Sequence, residues 1–128
     1  MIHGTGIDLV DIDRLEKILR KWDTRFLNMV YSPEEICYCT KKAYPVIHYA
    51  ARFAAKESFL KSLGMGLGMG IKLKDIEVRN DVHGRPILNL HGRAREILEE
   101  RGIASVHVSL SHSRIQAGAV VILEGAKD

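Results

Sequence analysis

The segment from Pro45 to Leu63 constrains this chain more than any other. It is an unbroken helical stretch that opens on a proline and runs into Gly64-Met65-Gly66-Leu67-Gly68-Met69-Gly70. Proline suits a first helical turn, and a glycine just past the last turn stops a helix. Ala50, Ala51, Ala54, Ala55 and Ser58 are small, so another backbone or a ligand can come close to this helix. Phe53, Glu57 and Lys61 recur at i, i+4 and i+8 and share one stripe. In a chain of 128 residues such a helix leaves room for one compact domain, residues 1–128.

Ahead of the helix, Ile2 to Val10 is β-rich and glycine-punctuated, which predicts a first strand ending near Asp8. Asp11 or Asp13 can cap a helix whose apolar stripe is Ile12, Leu15, Leu19 and Trp22. Ser32-Pro33-Glu34-Glu35 combines an N-cap, a first-turn proline and a capping-box glutamate, and opens a helix from about Pro33 to Lys42. Beyond the glycines the period changes. Asp75 to Asn80 alternates as a strand, His83-Gly84-Arg85-Pro86 turns, and Ile87 to Leu90 returns. Arg93 to Arg101 is a charged amphipathic helix closed by Gly102, and Ser105 to Ser111 and Ile115 to Leu123 are β-rich. The order predicts an α+β fold, with an antiparallel sheet packed against one long helix and shorter helices.

Composition narrows the function classes. Hydrophobic residues make up 46% and charged residues 27%, which suits a packed core and not a disordered chain. The net charge of +3 favours acidic partners without demanding nucleic acid, and no aromatic cluster or nucleic-acid motif supports that reading. Cys37 and Cys39 form one Cys-x-Cys pair, with no second pair to complete a zinc site. They read as free thiols in a reducing compartment. No window approaches the roughly 18 uninterrupted apolar residues of a membrane span. The expectation is a cytoplasmic protein without membrane or nucleic-acid partners.

Glu57 and Lys61 alone would be an ordinary exposed helix pair. Their setting suggests chemistry. Alternating glycines leave backbone N–H groups unobstructed, as a phosphate cradle requires, and Lys61 could neutralise the phosphate held there. The loop follows a helix, so it is neither a Walker loop nor a Rossmann turn. Asp8, at the end of the first strand, could join Glu57 in holding Mg²⁺, a hard cation commonly bound by one or two carboxylates plus substrate phosphates. Asp11 and Asp13 are better explained as helix-start charge.

Gly6-Ile7-Asp8 with Arg14, and Phe53-Ala54-Ala55-Lys56-Glu57-Ser58-Phe59-Leu60-Lys61, together resemble the two signatures of phosphopantetheinyl transferases. Ala51-Arg52, Gly84-Arg85-Pro86 and Val106-His107-Val108-Ser109 are similar to the short holo-acyl-carrier-protein synthase branch. One departure is Met65, where a threonine commonly stands between the first two glycines. The resemblance implies transfer of 4′-phosphopantetheine from coenzyme A to a serine of apo acyl carrier protein, in fatty acid synthesis. It further implies Asp8 and Glu57 as ligands of Mg²⁺, with Mn²⁺ as the alternative, and Lys61 facing the pyrophosphate. Lys61, Gly64, Gly66, Arg52, Pro86, His107 and Ser109 would contact coenzyme A, part of them across a subunit boundary in a homotrimer with shared active sites. A metal-bound water, Glu57 or Asp8 could each take the serine proton.

Arg14, Ile18, Lys21 and Arg25 follow i, i+4, i+7 and i+11, opposite the apolar stripe ending at Trp22. A solvated charge face is the default for such a run. Acyl carrier proteins are acidic and helical, so under the resemblance this stripe is the docking face. A coenzyme A or carrier-protein binder without turnover is the rival reading, and it leaves the set Asp8, Glu57 and Lys61 without a purpose.

Overall fold

Two glycines in the first strand set how closely the molecule is put together. A Cβ on Gly4 or Gly6 would press into the backbone carbonyl oxygens of Ser62 and Ser58, so strand β1 (Ile2–Asp11) lies directly on helix α4 (Pro45–Ser62). The computed structural model describes residues 1–65 and 70–126. Between β1 and α4 come α1 (Ile12–Trp22), α2 (Thr24–Val30) and α3 (Pro33–Thr40). After α4 follow a 3₁₀ turn (Leu73–Asp75), β2 (Ile76–Asn80), β3 (Pro86–Leu90), α5 (Gly92–Glu100), β4 (Ile103–His112) and β5 (Gln116–Gly125).

The α+β class holds, but the strands divide into two antiparallel sheets where one was expected. One has the order β1-β5-β4 and the other is the β2-β3 hairpin. β5 is the centre of the larger sheet, pairing Asp8 with Ala119 on one side and Leu110 with Ala119 on the other. Its residues Ala117, Ala119, Val121 and Leu123 are buried, and Ser58 Oγ donates to the Ala119 carbonyl at 3.0 Å. The alternate residues Val120 and Ile122, with Ile7 (67% exposed) and Leu9 (64% exposed) of β1, form an uncovered face.

The small residues of α4 let two layers meet on it. Tyr49 and Ala50 pack with Ile12, Leu15, Val30 and Cys39 of the first three helices and with Tyr31 between α2 and α3. Phe59 and Leu60 pack with Ile76, Ile97, Val121 and Leu123. The predicted capping box on α3 forms: Ser32 Oγ accepts from Glu35 N, and Glu35 Oε1 accepts from Ser32 N. Glu35 is itself buried and does more than cap. Lys56 Nζ, fully buried in α4, donates to Glu35 Oε1 at 2.7 Å and to the carbonyls of Leu73 and Ile76. Glu35 Oε2 accepts from Val78 N, which ties α3, α4 and β2 into one hydrogen-bonded unit.

Three expectations need correction. α1 ends at Trp22, because Asp23 takes the left-handed φ of 47° before a separate helix begins. Trp22 is 47% exposed, so it does not complete a buried stripe. Arg25 lies on α2 and cannot continue a face of α1.

Candidate active site

The close seating of β1 on α4 brings the predicted chemistry together. Asp8 faces α4 because Gly4, Gly6 and Asp8 alternate onto one side of β1. Lys61 Nζ donates to Asp8 Oδ1 at 2.8 Å and to the Ile7 carbonyl at 3.1 Å. Asp8 and Glu57 line one cleft of about 470 Å³, with Arg14, Ile18, Phe26 and Phe53 among its walls. Burial pushes the Glu57 carboxyl above the usual glutamate range, and the nearby Asp8 charge pushes it further. Lys61 is held above the usual lysine range by its hydrogen bond to Asp8 and by the Asp8 charge. Half of the Lys61 side chain is exposed, so this pair contributes under about 1 kcal/mol and can be broken at little cost.

These donors fit a hard divalent cation. Two carboxylates on rigid elements repel one another, and they leave other coordination positions for phosphate and water. Among the described residues no group of three His, Cys, Asp or Glu side chains is placed to hold a metal. Asp11, the other acidic wall of the cleft, accepts from Gln116 Nε2 at 3.1 Å.

Three of the predicted coenzyme A contacts, Arg52, Pro86 and Ser109, line a second cavity of about 420 Å³. Arg52 is 3% exposed. Its Nη2 donates to Asn80 Oδ1 at 2.9 Å, and its guanidinium lies 4.1 Å from the centre of the Tyr38 ring. Among the described residues its buried Nε has no acceptor. A buried donor without an acceptor is costly, so Nε would gain from an oxygen brought within its reach. The two cavities lie on different sides of α4, with Phe53 and Glu57 on one and Ala51 and Arg52 on the other.

His107 is not among the residues lining either cavity. Its Nε2 lies 2.9 Å from Glu124 Oε1 on the outer face of the sheet. Gly64 has the left-handed φ of 70° expected after a helix. Gly66 lies outside the described residues, as do its neighbours through Met69. Arg14 and Ile18 line the cleft, while Lys21 is exposed with its Nζ 5.6 Å from the Trp22 ring centre.

Sequence reasoning missed Phe26 because it did not resolve α2, and it passed over His48 and Asn80. His112 shares its strand face with Val108 and Leu110, the side that alternation assigns to the core. At the end of β4 that side opens into the Arg52 cavity.

The chain is similar to known proteins in sequence and in fold. A family described as the 4′-phosphopantetheinyl transferase superfamily matches residues 4–117. The chain is 80% identical over 128 residues to a holo-[acyl-carrier-protein] synthase of Syntrophus aciditrophicus, covering 100% of both chains. It is similar to the crystal structure of holo-[acyl-carrier-protein] synthase from Neisseria meningitidis, with a TM-score of 0.88 and 34% identity over 97% of this chain and 99% of that one. A holo-(acyl-carrier-protein) synthase from Bacillus anthracis, solved in complex with CoA (3′,5′-ADP), matches with a TM-score of 0.80 and 37% identity over 98% and 99% of the two chains.

Proposed function

This chain belongs to the 4′-phosphopantetheinyl transferase superfamily, and on that footing we propose that it acts as a holo-acyl-carrier-protein synthase. It moves the 4′-phosphopantetheine group of coenzyme A to a serine of apo acyl carrier protein. The serine oxygen bonds to the phosphorus that bears the pantetheine, and the bridging P–O bond to the nucleotide breaks. The serine gives up its proton, and adenosine 3′,5′-bisphosphate leaves with the bridging electron pair. The observation that carries the reading is the meeting of Asp8, Glu57 and Lys61 in one cleft.

Phosphoryl transfer needs positioning and charge neutralisation more than covalent help. Asp8 and Glu57 would hold Mg²⁺, or Mn²⁺ in its place, through hard carboxylate oxygens. That ion supplies charge neutralisation on the pyrophosphate oxygens. Lys61, weakly tied to Asp8, can exchange that partner for the leaving phosphate and stabilise the charge that grows there. Phe53, Phe26 and Ile18 line the cleft with apolar surface that limits water around the reacting groups. Arg14 and Lys21 meet the acidic carrier protein.

The nucleotide end of coenzyme A belongs to the Arg52 cavity, with Pro86 and Ser109 beside it, and Gly64 and Gly66 contribute to the pyrophosphate cradle. Because that cavity and the Asp8 cleft lie on different sides of α4, two subunits together make a complete site. The uncovered face of Ile7, Leu9, Val120 and Ile122 supports a homotrimer built in this way. His107, on the outer face of that sheet, would take part across such a boundary. Residues 1–128 then form one catalytic domain of a cytoplasmic enzyme that serves fatty acid synthesis, a setting in keeping with an acyl carrier protein as the acceptor. The test is intact-mass analysis of apo acyl carrier protein incubated with this protein, coenzyme A and Mg²⁺. One added phosphopantetheine, lost on chelation of the metal, is expected. An unchanged carrier mass with folded protein and intact coenzyme A overturns the reading.

A further inference from the structure

The Arg52 cavity holds two imidazoles that the reaction described above does not use, His48 of α4 and His112 at the end of β4. Its walls carry two guanidiniums, Arg52 and Arg85, and no Asp or Glu among the described residues. His48 stands among positive charge. Its ring meets Tyr38 of α3 edge-on, with 6.0 Å between centroids, and Lys42, just past α3, sits 4.5 Å over that same ring. Arg52 covers the Tyr38 ring as well, one helical turn along from His48. The charges that act on His48 come from Arg52 of α4, Lys42 just past α3 and His112 of β4, and Arg85 of the β2-β3 turn lines the same cavity, so its surroundings are neutral or cationic. Burial holds His48 below the usual imidazole range, and Arg52, Lys42 and His112 push it further down, so it is neutral in the free protein near neutral pH. A phosphate dianion entering the cavity reverses that balance, because it supplies both the missing negative charge and an acceptor for an imidazolium N–H.

We propose that His48 is a phosphate ligand of this cavity, taking up one proton as the phosphate binds and closing on the anion together with the unpartnered Nε of Arg52. The proposal rests on the reading that the nucleotide end of coenzyme A occupies the cavity. Coenzyme A has a single phosphate monoester, on the 3′ position of its ribose, and only a monoester is a dianion near neutral pH. His48 thus becomes a determinant of donor choice, favouring coenzyme A over its 3′-dephospho form.

Calorimetric titration with each donor, at about pH 7.5 in two buffers of different ionisation heat, counts the protons taken up. Coenzyme A is expected to bring a proton with it and the dephospho form none. His48→Gln should abolish the uptake and weaken coenzyme A about tenfold, the worth of one hydrogen bond to a charged group, with the dephospho form unaffected. His112→Gln should leave the uptake in place. Proton uptake that persists in His48→Gln, or that is equal for the two donors, overturns the proposal. Nuclear magnetic resonance titration of the His48 ring in the unaltered protein gives an independent reading. An imidazole whose pKa does not rise when coenzyme A binds also overturns it. If Arg52→Ala binds coenzyme A normally while carrier modification persists, the placement of the nucleotide in this cavity fails, whereas loss of carrier modification by the unaltered protein would sink the enzymatic reading itself.

Discussion

Lys61 and Asp8 stand 53 positions apart in the chain, yet their charged atoms lie 2.8 Å from each other across the contact between β1 and α4. The lysine occupies the neighbourhood where a divalent cation would neutralise Asp8. The free protein therefore balances its own acidic site with a mobile ammonium that is half exposed and easily withdrawn.

Lys61→Ala is expected to lower kcat far more than it raises the KM for coenzyme A. Charge on the leaving phosphate grows along the reaction, so the lysine contributes more to the transition state than to the ground state. Steady-state kinetics with both substrates checks this. Unchanged turnover with weaker coenzyme A binding would make Lys61 a simple anchor.

Glu57→Gln should abolish transfer while making the protein more resistant to heat near pH 8. Burial and the Asp8 charge raise the Glu57 pKa, so the folded state favours the protonated carboxyl. Below the ordinary glutamate range the group is protonated both folded and unfolded, and no penalty exists. As pH rises through the folded pKa, the ionised group costs stability that glutamine does not. Melting curves from acid to mildly alkaline pH should show the variant's advantage absent below the ordinary glutamate range, growing as pH climbs from there through the raised folded pKa, and constant above it.

Charge reversal at Arg14 should raise the KM for carrier protein more than reversal at Lys21, with coenzyme A kinetics little changed. Arg14 lines the cleft proposed to receive the carrier serine, whereas Lys21 is exposed in the last turn of α1. Rim charges are individually worth under about 1 kcal/mol, and salt screens them. Arg25, carried by α2, should have a smaller effect than either. Equal effects at Arg25 and Arg14 would move the docking face to α2.

Mixing two inactive variants tests the shared site. Glu57→Gln disables the cleft and Arg52→Ala the second cavity, and refolding them together should restore activity to a fraction of the mixed assemblies. No recovery, with mixed oligomers shown to form, would place the whole site within one subunit.

Lys56→Met should cost roughly 3–5 kcal/mol by leaving Glu35 buried without its partner, and the double change Lys56→Met/Glu35→Gln should recover part of that loss. Denaturant unfolding of the two variants decides it. A mild loss in the single variant would mean that water reaches Glu35.

The site was legible because its parts sit on the strongest local signals. Pro45 and Gly64 bracket α4, the glycines of β1 mark a close approach, and Asp8, Glu57 and Lys61 fall at fixed places on those elements. What periodicity could not reveal was tertiary. A linear reading takes Glu35 as a helix-capping residue and Lys56 as one member of a motif, and only packing shows them fully enclosed and paired. Asp23 adopts a positive φ that its residue type permits without requiring, and that turn ends α1 and detaches Arg25 from it. α2 is seven residues long, too short to display a helical period. The separation of the β2-β3 hairpin from the larger sheet depends on long-range pairing that no local window contains.

The hydrogen bonds of Glu35 and Lys56 reach across the glycine-rich connection to Leu73, Ile76 and Val78, while β1 ahead of it pairs with β5 at the far end of the chain. Each half thus carries groups that lose partners when the other is absent: Lys56 loses two carbonyls, Glu35 one amide and β1 its neighbouring strand. Two polypeptides made by dividing the chain at that connection would each be left with an incomplete sheet and a thwarted polar cluster. Recombination restores both the sheet and the cluster, so the connection is a natural place to split the protein into a reporter that signals when its halves are brought together.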